Sequence, residues 1–305
     1  MAPIVPPKPS KTGPPPGWQH RDVYDGVIDA LHRLPESFKS PLHISGVLAT
    51  DLFAFNSSLS TTIEEQVVSA LNNLRHVWDE KAKYDLYAFE RQPQTFPDVV
   101  LRTKAPGQAD KIILGLELKG WYALAKEREP SFRYKVTPAV CAEAHLLVIV
   151  PWALSEVISG SPRVFEPYIT SARYAAEYRN WWWEHEKGSR KSAGVITLST
   201  FAQNYPTKSD AISDRPHSDS GGNFGRFART GLMNEYIGTL FEQRLAGIPL
   251  GAWQSFFALF KEETDLKAVE QKVRRLQGSQ TGRSTPDETL ARIAGILLEL
   301  AGKIS

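Results

Sequence analysis

Apolar residues follow two different spacings along this chain. From residue 61 to residue 78 they recur every three or four positions, which is typical of a helix with one buried face; that face comprises Ile63, Val67, Ala70, Leu71, Leu74 and Trp78. Short runs of branched apolar residues then predict buried strands at residues 83–90, 98–103, 112–119 and 145–150. A helix at 61–74, three strands, a short helix at 137–144 and a fourth strand together predict an α/β domain.

Weaker patterns on both sides of this core predict the remaining elements. Helices are expected at 18–34 and 166–186, a strand and a turn at 41–54, and a short strand at 193–199. A long polar loop at 203–227 precedes helices predicted at 232–245, 253–260, 264–276 and 285–304. We therefore expect three regions: a flexible proline-rich arm at 1–17, a core domain at 18–200, and a loop with a helical subdomain at 201–305.

The composition excludes several classes of protein. A single cysteine, Cys141, among 305 residues excludes an internal disulfide and is typical of a reducing cytoplasm, where we expect this protein. No apolar run is long enough to span a membrane, no Cys and His cluster has the spacing of a zinc site, and the glycines at 221–225 lack the pattern of a nucleotide-binding loop. Because the formal net charge is only +2, a surface for a polyanion must come from local clustering.

Two carboxylates and a lysine lie at the ends of two predicted strands. Asp98 opens one strand, whereas Glu117 and Lys119 end the next. The segment between them contains Pro106 and Gly107, which favour a hairpin loop that brings Asp98 and Glu117 together. Side chains alternate along a strand, so Glu117 and Lys119 share one face. Such carboxylates suit magnesium, which neutralises phosphate charge and activates water, and a lysine can orient that water.

These residues resemble the motif of the PD-(D/E)XK nuclease superfamily, which includes most Type II restriction endonucleases; the match is Pro97, Asp98, Glu117 and Lys119, with 18 residues between the two acids. The resemblance implies an αβββαβ core with a mixed central sheet, joined here to a helical C-terminal region. It also implies magnesium-dependent hydrolysis of DNA that leaves 5′-phosphates, with manganese as a substitute. Asp98 and Glu117 would bind the metal and Lys119 would orient or help deprotonate the water. The carbonyl of Leu118 lies within reach of the same ion.

The superfamily often adds a glutamate from the helix before the first core strand, and Glu64 is the candidate here. At about 100° per residue on a helix, Glu64 lies near the edge of the apolar face and Glu65 points away from it. Glu64 is therefore expected to reach the sheet and to hold a second ion or a water bound to the first. The alternative is that both glutamates only complement the helix dipole.

Basic and amide side chains after the motif are candidates for contacts with DNA. Lysine and arginine bind backbone phosphates, and arginine or asparagine can make two hydrogen bonds with a base edge. An ordinary solvated surface and a flexible loop are the alternatives. The candidates are Lys126, Arg133 and Lys135 shortly after the motif, and Lys208, Asn223 and Arg226 in the polar loop.

Two further clusters have competing interpretations. Asp210, Asp214 and Asp219 form a weak candidate for a second metal site, because their spacing does not match a calcium loop. The run 181–183 is three tryptophans, which would fan over about 200° of a helix. They are candidates for a dimer interface or for stacking on a base, but packing in the core is the favoured interpretation.

The interpretation favoured by these observations is a magnesium-dependent, sequence-specific endonuclease that acts on double-stranded DNA. A homodimer is expected if the target is palindromic, because the symmetry of protein and DNA must match. The region 201–305 would then serve dimerisation or sequence recognition. The alternatives are a defence or repair nuclease without a fixed recognition sequence, and a DNA-binding protein without catalysis. No nucleotide cofactor and no membrane are expected as partners.

Overall fold

A mixed six-stranded sheet forms the centre of the fold. The structure is a computed structural model that describes residues 5–45, 55–92, 94–103, 105, 111–125, 127–187, 195–201, 203–219 and 223–259. The strands of the central sheet are β1 Tyr87–Arg91, β2 Val99–Thr103, β3 Ile112–Tyr122, β4 His145–Leu154, β5 Pro162–Val164 and β6 Tyr168–Ser171. The chain is therefore an α/β protein, as the order of periodic segments predicts.

The sheet combines an antiparallel meander with one parallel pair. Strands β1, β2 and β3 are successive antiparallel neighbours, β3 runs parallel to β4, and both β5 and β6 pair with β4 in the antiparallel sense. Every residue of β4 is buried, which is expected of a strand covered on both faces. The strands predicted at 98–103, 112–119 and 145–150 are confirmed, and the last two continue further than predicted, to Tyr122 and Leu154.

Helices cover the sheet. The long helix α3 packs against β1 and β3 through the apolar face predicted from the sequence; its residues Ile63, Val67 and Leu71 are at most 1% exposed. The helices are α1 Arg21–His32, α2 Leu34–Ser37, α3 Phe55–Asn73, α4 Arg75–Trp78, α5 Ala172–Trp181, α6 Asn234–Glu242 and α7 Leu250–Leu259. Among the residues described, no helix has the length and apolarity needed to cross a bilayer.

The helix predicted at 137–144 is wrong. Only a single 3₁₀ turn forms there, at Pro138–Val140, so the connection between the parallel strands β3 and β4 is mostly irregular. The helix cannot continue because the carbonyl of Cys141 accepts hydrogen bonds from the guanidinium of Arg173, at 2.9 and 2.6 Å. The backbone N–H of Ala142 donates instead to the ring of His145, at 3.0 Å. Tertiary partners thus replace the helical ones.

Further boundaries also differ from the prediction. The helices predicted at 61–74 and 253–260 begin earlier, at Phe55 and Leu250. The start of the helix predicted at 166–186 is instead strand β6, and α5 begins only after Ser171, whose hydroxyl accepts from the N–H of Tyr174 at 3.3 Å. A π-helical turn, Trp182–Glu186, follows α5. The helix predicted at 232–245 ends at Glu242, and a short hairpin follows it, with β9 Arg244–Leu245 and β10 Ile248–Pro249. The first predicted strand begins later, at Tyr87, since the carboxylate of Asp79 accepts from the N–H groups of residues 83 and 84, at 2.8 and 2.9 Å.

A buried ion pair fixes the polar stretch 203–219 to helix α5. Arg179 and Asp214 are 2% and 1% exposed, and the guanidinium donates to the carboxylate at 2.6 Å. Asp214 also accepts from the N–H of Ser199 at 3.0 Å, which closes the base of this loop. A two-residue ladder joins β7 Ile196–Thr197 to β8 Arg215–Pro216. The predicted helices at 264–276 and 285–304, and most of the segment 41–54, lie outside the described residues.

The proline-rich arm contacts the body of the protein along its described part. Residues 5–17 form no helix and no strand. The carbonyl of Pro6 accepts from the indole of Trp181 at 2.8 Å, and the amine of Lys8 lies 5.2 Å from the centre of that ring. The carbonyl of Pro14 accepts from Arg21 at the start of α1. These contacts give the arm a defined path along the surface.

Candidate functional site

The hairpin of β2 and β3 places Asp98 opposite Glu117. The register pairs Val99 with Leu116, so one step further along the antiparallel ladder Asp98 faces Glu117. Directly opposed side chains lie on the same face of a sheet, and so do side chains two residues apart on one strand. Asp98, Glu117 and Lys119 therefore converge on one face, as the alternation in the sequence predicts.

Lys119 contacts both carboxylates. Its Nζ lies 3.1 Å from Oδ2 of Asp98 and 2.8 Å from Oε1 of Glu117. Burial alone would lower the pKa of Lys119, but the charges of Glu117 and Asp98 outweigh it and raise the pKa above its ordinary value. The amine thus stays protonated and neutralises part of the acidic cluster. Its side chain is 23% exposed, so the cluster opens to solvent on the lysine side.

Glu117 is the buried member of the cluster. The residue is 7% exposed, and within the described structure its Oε2 is a buried oxygen without a hydrogen-bond partner. Burial raises the pKa of Glu117 to about 7; Lys119 acts in the opposite direction, and Asp98 adds to the rise. A buried carboxylate oxygen without a donor is costly, because burial removes water that nothing replaces. A cation at this oxygen would remove that cost.

The backbone of β3 also contributes to the acidic cluster. The N–H of Leu118 donates to Oδ2 of Asp98 at 3.1 Å, which fixes the carboxylate. In an antiparallel strand the N–H and C=O of one residue point to the same side, so the carbonyl of Leu118 also points towards the Asp98 side. Continuing the register places Pro97 opposite Leu118, and proline has no N–H to donate to that carbonyl. The carbonyl of Leu118 therefore faces the carboxylate of Asp98 and is the candidate for a third oxygen donor.

Helix α3 brings Glu64 to the edge of the cluster. The side chain of Glu64 is 21% exposed, whereas that of Glu65 is 54% exposed, in line with their positions on the helical wheel. Burial, followed by the charge of Asp98, raises the pKa of Glu64, and Lys119 and Arg91 act against this rise. Glu64 therefore lies within the electrostatic reach of Asp98 and Lys119.

The sequence analysis did not identify Arg91, at the end of β1. Its guanidinium lies 3.6 Å from Glu64 and 2.6 Å from Glu65. It holds the two helix acids next to the sheet and adds a second cation beside the cluster. The only signal for it in the sequence is a charged residue at the end of a predicted strand, next to the segment that leads to Asp98.

The donors fit a magnesium or manganese ion that keeps part of its water shell. Magnesium is usually held by one or two carboxylates together with waters and substrate phosphates. Asp98 and Glu117, with one unpartnered buried oxygen, match that description. In the part of the chain that the structure describes, no three or more His, Cys, Asp or Glu side chains are grouped closely enough to hold an ion by themselves. An ion would therefore bind Oε2 of Glu117 and a carboxylate oxygen of Asp98, complete its shell with the Leu118 carbonyl and water, and displace Lys119 from its contacts with the two carboxylates.

Most of the candidate DNA contacts lie where the backbone around Arg133 pairs with the backbone around Arg226. Arg133 and Arg226 form an isolated antiparallel bridge, and the N–H of Tyr134 donates to the carbonyl of Gly225 at 2.7 Å. Arg133 and Lys208 are exposed, whereas Lys135 is half-buried. This pairing brings Arg133, Lys135, Asn223 and Arg226 together from distant parts of the sequence. Lys126 lies outside the described residues.

Two of these candidates already have partners within the protein. Arg226 forms an ion pair with Glu127 at 3.2 Å, and the amide oxygen of Asn223 accepts from Arg229 at 2.6 Å. A DNA contact by either side chain would have to replace or share these bonds. Asn223 thus stabilises the loop through its hydrogen bond with Arg229. Its assignment to base recognition stays a prediction.

The second metal site considered for the polar loop is wrong. The buried carboxylate of Asp214 forms an ion pair with Arg179. Asp210 accepts a hydrogen bond from the N–H of Thr207 at 2.7 Å, and Asp219 accepts one from the N–H of Phe224 at 3.0 Å. Each carboxylate thus holds a different turn.

The three tryptophans mostly serve packing. Trp181 and Trp183 are 7% and 1% exposed, and Trp183 lies 5.1 Å from Phe224 between ring centres. Trp182 is half-buried and packs against the same small cluster. Core packing, the interpretation favoured from the sequence, is therefore confirmed for Trp181 and Trp183.

The chain matches no protein-family model, no curated protein and no solved structure. A functional interpretation therefore depends on the motif resemblance and on the geometry of Asp98, Glu117, Lys119 and Glu64.

Proposed function

We propose that this chain is a magnesium-dependent endonuclease that hydrolyses phosphodiester bonds in double-stranded DNA at a defined sequence and leaves 5′-phosphates. The observation that carries the proposal is the contact of Lys119 with both Asp98 and Glu117, at 3.1 and 2.8 Å, beside a buried Glu117 oxygen without a partner. Two acids on a rigid hairpin can hold the ion that metal-assisted phosphodiester hydrolysis uses, and a lysine beside them can orient the attacking water.

The residues divide the chemistry among them. Asp98, Glu117 and the carbonyl of Leu118 would hold the metal, and Glu64 would hold a second ion or an ordered water. When bound, magnesium neutralises charge on the phosphate and makes water a better nucleophile. Lys119 would orient the attacking water and stabilise negative charge that develops on the phosphate. Manganese is expected to substitute, because it accepts the same oxygen ligands.

The order of elements supports a restriction-endonuclease-like core. Helix α3, the meander of β1, β2 and β3, and the parallel strand β4 occur in the order that the αβββαβ core has, apart from its second helix. The helix expected between β3 and β4 is replaced by the irregular connection with its 3₁₀ turn, and α5 follows only after β6. The acids lie on the β2–β3 hairpin, which this difference leaves intact.

The proposal extends to partners and location. Arg133, Lys135, Lys208 and Arg226, together with Lys126, would contact the DNA backbone, and Asn223 a base. The protein is proposed to act in the cytoplasm and, on a palindromic target, as a homodimer. Because these lysines and arginines would displace counterions from the DNA phosphates, DNA binding should weaken as salt concentration rises.

A plasmid digest tests the proposal. Purified protein is incubated with supercoiled and linear DNA in magnesium, in manganese, and in EDTA. Discrete fragments that need the metal are expected. Smears or nicks would favour the alternative nuclease without a fixed recognition sequence. Binding to DNA in calcium without any cutting in magnesium or manganese would contradict the proposal and favour a DNA-binding protein.

One pair of variants assigns the activity to the site. Lys119→Ala is expected to lower the cleavage rate about a hundredfold or more, while it keeps DNA affinity in calcium. Lys83→Ala is the matched control, because Lys83 is an exposed lysine, 53% exposed, that pairs with Asp22 on the surface. Cleavage by Lys119→Ala at the rate of Lys83→Ala would show that the site assignment is wrong.

A further inference from the structure

The first part of the polar loop, residues 203–214, contacts β4, the strand that lies beside the catalytic hairpin. The loop is closed at its base by Asp214, which binds Ser199 and Arg179. From the loop, the ring of Tyr205 lies 4.8 Å from the ring of His145, with an angle of 75° between their planes. His145 is the first residue of β4 and pairs with Gly115 of β3. A side chain from a surface loop thus ends at the central sheet.

His145 is fully buried and fixed in orientation. It is 0% exposed, and its Nδ1 accepts from the N–H of Ala142 at 3.0 Å. A neutral imidazole that accepts at Nδ1 carries its proton on Nε2, an assignment inferred from this network. That Nε2 has no hydrogen-bond partner among the described residues. On another side the ring meets Phe96 edge to face, with 5.4 Å between centres.

Gly115 connects His145 to the turn that carries Asp98. A Cβ placed on Gly115 would lie 2.3 Å from Cγ of Pro97 and 2.9 Å from Cδ2 of His145. The proline ring and the imidazole therefore both rest against the backbone of Gly115, without room for a methyl group. Asp98 directly follows Pro97. Its position consequently depends on how closely this layer is packed.

The backbone of Tyr205 adds a second, independent observation. Its φ is 55°, in the left-handed region that side chains other than glycine rarely occupy. Such a conformation persists only when the surrounding contacts enforce it. The loop therefore holds Tyr205 against His145 at a conformational cost.

The geometry points to Tyr205 as a positioning residue for the catalytic hairpin: through His145 and Gly115 it presses on Phe96 and Pro97 and so fixes the carboxylate of Asp98. The inference rests on the proposed function, because it concerns how well Asp98 is placed to hold the metal. It also gives the loop a role. Lys208 lies three residues beyond Tyr205, so a phosphate bound by Lys208 would stabilise the loop that holds Asp98 in place.

The test uses Tyr205→Ala, Tyr205→Leu and Tyr205→Phe in the full chain, with Phe201→Ala as the matched control. Phe201 is a half-buried aromatic at the start of the same stretch and packs against the core. The measurements are Mn²⁺ affinity by calorimetry without DNA, the single-turnover cleavage rate in magnesium, and DNA affinity in calcium.

Tyr205→Ala and Tyr205→Leu are expected to weaken Mn²⁺ binding and to lower the cleavage rate by about tenfold or more, since small misplacement of a reacting group is costly. DNA affinity should change less than Mn²⁺ affinity does, because most contacts with DNA are made to backbone phosphates by lysine and arginine side chains. Tyr205→Phe should keep both properties, because the ring and not the hydroxyl contacts His145. Phe201→Ala should lose thermal stability but keep Mn²⁺ affinity.

The inference is overturned if Tyr205→Ala and Tyr205→Leu bind Mn²⁺ as the unaltered protein does. It is also overturned if Phe201→Ala loses Mn²⁺ affinity to the same extent, since the effect would then be general destabilisation. If Tyr205→Ala does not fold, Tyr205→Leu decides. Failure of the proposed function looks different: the unaltered protein would then cut no DNA, while the comparison of Mn²⁺ affinities would still decide the role of Tyr205.

Discussion

Replacing Glu117 with glutamine is expected to stabilise the metal-free protein at neutral pH and to remove cleavage. Burial raises the pKa of Glu117 from 4.5 to about 7. The folded state therefore binds this proton more tightly than the unfolded state does. The contribution to stability is complete below pH 4.5 and is lost as the pH rises towards 7. At 1.36 kcal/mol per pKa unit, the ionised carboxylate costs about 3 kcal/mol above pH 7.

Glutamine removes this pH dependence but brings its own costs. Its amide oxygen can still accept from Lys119, whereas its NH₂ group takes the place of the oxygen without a partner and stays unsatisfied, at about 1–2 kcal/mol. That cost is the same at every pH. The stability of Glu117→Gln relative to the unaltered protein should therefore rise by about 2 kcal/mol between pH 5 and pH 7.5.

Urea unfolding in EDTA at these two pH values measures that difference. Titrating groups that do not interact with Glu117, His145 among them, are present in both proteins and cancel in the comparison. Added Mn²⁺ should raise the unfolding midpoint of the unaltered protein and not that of Glu117→Gln. A stability difference that is the same at both pH values would refute the reasoning, because the carboxylate would then not be held in a buried, unsatisfied state.

Three other substitutions test the supports of the site. In Gly115→Ala the new methyl group would lie 2.3 Å from Cγ of Pro97, so a destabilisation of about 1–3 kcal/mol and weaker Mn²⁺ binding are expected in calorimetry; normal Mn²⁺ affinity would contradict this. Arg179→Met leaves the carboxylate of Asp214 buried and unpaired, which should cost about 3–5 kcal/mol in urea unfolding, and a cost below 1 kcal/mol would be too small for a buried pair. Burial lowers the pKa of His145 to about 3, so the free energy of unfolding of the unaltered protein, taken relative to that of His145→Asn, should fall below pH 6.5, by about 2 kcal/mol at pH 5. His145→Asn should lack that acid loss, and an identical pH profile would exclude the buried ring as its source.

The local pattern of the sequence was sufficient for the parts of the fold that depend on neighbours along the chain. The apolar face of α3 and the branched runs of β2, β3 and β4 each identify their element, because burial on one or both faces decides their composition. The convergence of Asp98, Glu117 and Lys119 follows from alternation and a single hairpin. None of these inferences needs a contact between distant segments.

The sequence could not predict what distant contacts decide. Residues 137–144 have an acceptable helical composition, but Arg173, about thirty residues further on, takes the carbonyl of Cys141. Residues 168–171 pair with β4 although a helix follows immediately. The reach of Tyr205 to His145 depends on how the loop closes at Asp214, and the loop itself has no periodic pattern from which this could be inferred.

The most direct measurement of the central claim is a crystal structure of the protein soaked in manganese, with the ion located from its anomalous signal. We expect an ion bound by Asp98 and Glu117, next to Lys119, and none in Glu117→Gln. Manganese that is absent from these carboxylates while it binds elsewhere, or two carboxylates that remain paired with Lys119 at saturating metal, would contradict the assignment of this hairpin as a metal-dependent catalytic site.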